Sequence, residues 1–78
     1  MTKNDLIKEE LSTMHVLDVL NKYDNVDDLF IILNLLLEKR DYRNIGTVLA
    51  HLPVILQYDE TKCFILKKYG QKLLQVWA

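Results

Sequence analysis

One cysteine, one proline and two glycines are all that this 78-residue chain has of those types. A single cysteine, Cys63, excludes an intramolecular disulfide framework. So little glycine and proline, in a chain that is half hydrophobic, excludes collagen-like and disordered sequence. Neither sign of charge is in excess: Lys and Arg number 10, Asp and Glu 11, for a net charge of −1. That excludes a strongly basic nucleic-acid coat and an acidic tail. Long apolar runs are missing too. The longest, Leu29 to Leu37, is broken by Asn34, whereas a membrane span needs about 20 apolar residues. The start, Met1-Thr2-Lys3-Asn4-Asp5, has no apolar stretch and no small-residue cleavage site, so no secretory signal and no membrane partner are expected. With one unpaired cysteine, the expected location is the cytoplasm, or the host cytosol for a viral chain.

Leucine is abundant, and β-branched residues are scattered rather than alternating. Both favour helices over strands. The chain has room for one domain, spanning 1–78. Its spacing predicts an all-α protein, a small compact bundle of four or five short helices in a helical-hairpin arrangement. The first helix is expected from about Asn4 to Tyr23, capped by Thr2 or Asn4. Its stripe is Ile7, Leu11, Met14, Leu17 and Leu20, and Ser12-Thr13 is a place where it can split. The second starts at Asn25, three residues before Asp28 in a capping-box-like pattern. From Leu29 to Leu37 it is apolar almost all round, as a helix buried on most sides must be.

The third helix is expected from about Tyr42 to Leu52, with Ile45, Val48, Leu49 and Leu52 on one face. Gly46 and Ala50, four apart, suit a close helix approach, and Pro53 is expected to end or kink the helix. Asp59 or Thr61 can cap the fourth, which runs to about Trp77. Phe64, Leu66, Tyr69, Leu73, Val76 and Trp77 form its apolar face, and Lys62, Lys67, Lys68 and Lys72 its basic one. Gly70, inside that helix, marks either a close contact or a bend.

Charge is segregated along the chain. Residues 1–38 carry 3 basic and 8 acidic side chains, residues 39–78 carry 7 basic and 3 acidic. The halves are expected to pack together and neutralise each other, or else to leave a basic C-terminal face for an acidic partner.

Catalytic chemistry finds no footing. Cys63 lies between Lys62 and Phe64 with no catalytic motif around it, and a cysteine in such a place is expected to pack. His15, His51 and Cys63 are too few for a structural zinc, which needs four ligands. The pairs Glu9-Glu10 and Asp27-Asp28 suit helix first turns, and no glycine-rich phosphate loop exists. No catalytic residue, metal or cofactor is therefore expected.

The stretch Arg40-Asp41-Tyr42-Arg43-Asn44-Ile45, followed by Leu49, Leu52 and Pro53, resembles the inter-helix turn and second helix of a tetratricopeptide-type hairpin. Ile45 is larger than that pattern wants and Pro53 comes too early. No repeat of about 34 residues is visible. The stretch is read as a helical hairpin and not as family membership.

A domain this small leaves much of its surface exposed, and these apolar stripes exceed what one copy is expected to hide. The expected role is a small non-enzymatic protein-binding regulator, adaptor or inhibitor acting through apolar helix faces, as a homodimer. The candidate partner-binding residues are Leu66, Tyr69, Leu73, Val76 and Trp77, flanked by Lys67 and Lys68, with a homodimer seam or an intramolecular core as the other uses of the apolar ones. The alternative is a helix-turn-helix-like transcriptional regulator that contacts nucleic acid through Lys39, Arg40 and Arg43. Its recognition helix would offer only Arg43, Asn44, Thr47 and His51, and the acidic first half opposes phosphate.

Overall fold

Short polar side chains decide where the helices begin. The computed structural model describes residues 2–77, with side chains as far as residue 75. Thr2 opens α1 (Lys3–Thr13) with a full capping box: its Oγ1 accepts from the Asp5 amide at 3.2 Å, and Asp5 Oδ2 accepts from the Thr2 amide at 3.3 Å. Asn25 opens α3 (Val26–Glu38), its Oδ1 accepting from the Asp28 amide at 2.9 Å. Asp41 opens α4 (Tyr42–Ile55), accepting from the Asn44 amide at 3.3 Å. Asp59 opens α5 (Glu60–Trp77), accepting from the Lys62 amide at 3.1 Å. Each bond satisfies an amide that the first turn leaves without an intrahelical partner.

The expected first helix is two. The hydroxyls of Ser12 and Thr13 donate back to the Lys8 and Glu9 carbonyls, Met14 turns extended, and a separate α2 (Val16–Lys22) begins. His15 caps it, with Nδ1 accepting from the Leu17 amide at 3.2 Å. Five helices result, with no strand among the described residues.

Pro53 neither ends nor separates α4, which runs on to Ile55. Proline has no N–H for the Leu49 carbonyl four residues back, and only two helical residues follow it. The turn is then closed in the Schellman manner, with Gln57 N–H donating to the Val54 carbonyl at 3.2 Å and Tyr58 N–H to the Pro53 carbonyl at 2.7 Å. The same motif closes α3 through Arg40 and Asp41. Glycine is the usual left-handed residue in such turns, yet Arg40, Gln57 and Tyr58 take φ values of 56°, 54° and 60°. Each costs about 1–2 kcal/mol of local strain.

The core is organised around α3. Leu29, Ile32, Leu33 and Leu36 are buried on its several sides. It is covered by α1 through Ile7, by α4 through Ile45, Val48 and Leu52, and by α5 through Leu66 and Leu73. The short α2 packs on α1 and α4 with Val16, Val19 and Leu20. Each fully buried Leu or Ile contributes about 1.5–3 kcal/mol. All of this covering comes from the one chain.

One carboxylate enters the core region. Asp28 is buried, and its oxygens accept from Lys3 Nζ at 2.8 Å and Asn25 Nδ2 at 2.7 Å. Those donors offset the cost of removing the charge from water, and Lys3 ties the start of α1 to the start of α3. The other ion pairs are Glu10–Lys22 and Asp59–Lys62. Every one of them lies within its own half of the chain, so the halves do not neutralise each other by direct pairing among the described residues.

The two glycines have opposite surroundings. A Cβ on Gly70 would stand 2.4 Å from Leu49 Cδ2, so the Leu49 side chain of α4 occupies the space beside it. At Gly46 a Cβ would meet nothing within 4 Å, which removes the expected close approach at Gly46 and Ala50. Gly46→Ala should raise stability by about 0.5–1 kcal/mol, the helix-propensity gain. Gly70→Ala should lower it by about 1 kcal/mol, since overpacking of roughly 1–3 kcal/mol outweighs the same gain. Urea denaturation of both variants checks the opposite signs.

Candidate functional site

The eighteen residues of α5 carry two stripes. Leu66, Gly70 and Leu73 recur at three and four residues and face the core. Ile65, Lys68 and Lys72 recur at the same spacing on another face, with Phe64 beside them. Phe64 is 65% exposed and Ile65 46% exposed, adjacent on this face, while Val54 and Tyr58 are exposed at the end of α4 and in the turn after it.

The outer stripe borders a shallow, open groove that α3 edges through Phe30. Phe30, from α3, meets Tyr69, from α5, edge to face, with ring centroids 4.9 Å apart at 73°. The Tyr69 hydroxyl donates to Asn34 Oδ1 at 2.5 Å, and Asn34 Nδ2 donates to the Phe30 carbonyl at 2.9 Å. Asn34, the one polar break in the apolar run of α3, thus holds the groove's aromatic wall. The hollow has a volume of about 410 Å³ and is lined by Phe30, Phe64, Ile65, Lys68, Tyr69 and Lys72. A second hollow, of about 450 Å³, adjoins it along Phe64, Lys67, Lys68 and Gln71. No carboxylate lines either one. Lys68 Nζ sits 6.0 Å from the centre of the Phe64 ring, within cation–π range.

The residues singled out from sequence divide among three places. Tyr69, Lys67 and Lys68 belong to the groove and its neighbour. Leu66 is fully buried and Leu73 is 8% exposed, so both serve the intramolecular core. Val76 and Trp77 have side chains outside those described. Phe64 leaves the inner face to which its helical spacing assigned it, and Phe30 and Ile65 join the site without having been singled out. The signal for Ile65 was present in its spacing with Lys68 and Lys72.

The basic turn between α3 and α4 is engaged locally. Lys39 Nζ donates to Ser12 Oγ at 3.1 Å, and Arg40 is the left-handed residue of the Schellman turn. Arg43 is exposed, and its carbonyl accepts from Thr47 Oγ1 at 3.2 Å. Asn44 Nδ2 donates to Asp41 Oδ2 at 2.6 Å, and His51 Nδ1 lies 2.8 Å from the Thr47 carbonyl. His15 caps α2, and Cys63 packs half-buried against the core. Among the described residues no three of His, Cys, Asp and Glu gather at one point. No described helix is long and apolar enough to cross a membrane.

A titratable cluster pins α1 to α2. Glu10 pairs with Lys22, and the Lys22 ammonium, then the Tyr23 hydroxyl, hold the Glu10 carboxyl below its ordinary value of 4.5. The same carboxylate raises the pKa of Lys22 and of Tyr23. Glu10 Oε2 is covered and lacks a well-formed hydrogen bond.

Compared with known proteins, the chain matches no family model, no curated protein and no solved structure.

Two outcomes follow from this geometry. Tyr69→Phe removes the bond to Asn34 and should cost about 0.5–1.5 kcal/mol in denaturant unfolding. Glu10 is favoured as the anion when folded, so its contribution is present above pH 4.5 and is lost as pH falls through its lowered pKa. Glu10→Gln should flatten the acid limb of stability against pH, measured by circular dichroism.

Proposed function

We propose that this chain is a non-enzymatic protein-binding module, a small regulator or adaptor that takes apolar side chains of a partner into the groove between α3 and α5. The observation that carries this is the exposure of Phe64 and Ile65 at the mouth of a hollow of about 410 Å³. Covering such side chains gains about 1.5–3 kcal/mol apiece when they are fully buried. Aromatic residues in partly enclosed sites dominate contact energy at protein interfaces. The wall is held before any partner arrives, because Tyr69, Asn34 and Phe30 already bond one another. Little ordering remains to be done on this side of the contact.

The test is a comparison of the wild type with Phe64→Ser/Ile65→Ser, both immobilised and exposed to an extract of the native source. Both residues are exposed, so circular dichroism should show the double variant folded. The expected result is one or more proteins retained by the wild type and lost by the variant. Equal retention by the two overturns the proposal.

A further inference from the structure

We infer that the segment taken by the groove is an acidic amphipathic helix, an inference that rests on the protein-binding proposal above and adds the chemistry of the partner. The first argument is charge. Lys67, Lys68 and Lys72 are exposed around the apolar floor, and none of them has an ion-pair partner among the described residues. Among the described residues neither hollow has a carboxylate in its lining, so the lysines meet no acidic side chain on the floor itself. A partner that brings carboxylates gains attraction that a neutral or basic one forgoes, and it is steered on approach.

The second argument is shape. From Phe64 to Lys72 the outer stripe of α5 runs for about 12 Å, a little over two helical turns. Apolar anchors at i, i+3 or i+4 and i+7 on a partner helix cover about the same length. Their carboxylates, on the flanks of that helix, then fall beside the lysines that border the floor.

The experiment uses the full chain and two synthetic helical peptides of about five turns. Both carry Leu and Phe at i, i+3 and i+7. One has Glu at its flanking positions and the other Lys. Binding is followed by fluorescence anisotropy at low and high salt. The Glu peptide should bind at least about tenfold tighter than the Lys peptide, and the gap should shrink as salt rises. Lys68→Glu/Lys72→Glu should reverse the preference, and Phe64→Ser/Ile65→Ser should abolish binding of both peptides. Equal binding of the two, a preference for Lys, or no binding of either overturns the acidic-helix inference. The protein-binding proposal survives those outcomes if retention from extract still depends on Phe64 and Ile65. Two further results overturn the inference by naming another occupant. One is cosedimentation with phosphatidylserine vesicles in place of peptide binding. The other is a dimer in sedimentation equilibrium that Phe64→Ser/Ile65→Ser converts to monomer, which assigns the groove to a second copy.

Discussion

The burial of α3 is what the remaining helices are arranged to achieve. A helix apolar on nearly every side has no face that water tolerates, so it must be enclosed. Here α1, α4 and α5 enclose it, and α2 supports α1 and α4 from behind. Much of the architecture follows from that requirement. The split between α1 and α2 at Met14 and His15 lets α1 lie along α3 while α2 turns toward α4. The buried Asp28 and its bond to Lys3 set where α1 begins against the central helix. Gly70 lets α5 press onto Leu49, so that Leu66 and Leu73 reach the core.

Apolar side chains stay in water at several places, Val54 and Tyr58 among them, and the α3–α5 edge is one. Between α3 and α5 the covering stops at Phe30 and Tyr69, and the outer stripe of α5 stays in water. If the purpose of α5 were only to seal α3, polar residues at 64 and 65 would serve it better. Phe64 and Ile65 add little to the core, and the protein-binding proposal rests on that exposure. The long stems of the nearby lysines can lie along apolar groups while the ammonium stays wet.

Much of this was readable from residue order, for local reasons. Asn25 and Asp59 predict helix starts because their side chains reach amides two or three residues on. The apolar run after Asp28 predicts a central helix because no surface helix can carry it. Other features depend on contacts that order along the chain does not show. Ser12 and Thr13 can bond back to their helix whether it ends or continues, so their presence does not fix where α1 stops. Pro53 is a breaker in general, yet α4 runs two residues past it. On α5, apolar residues at 64, 65, 66 and 69 span too wide an arc to say which part faces inward. Gly70 settles it: the glycine marks the side on which α4 lies.

The groove joins α3 to α5, two helices separated in sequence by the whole of α4. During synthesis α3 leaves the ribosome well before α5, and until α5 docks there is an exposed apolar helix but no walled hollow beside it. A ligand that recognises the hollow therefore ignores nascent and partly folded chains. It also pulls the folding equilibrium toward the finished molecule, because it binds only a form in which both helices are seated.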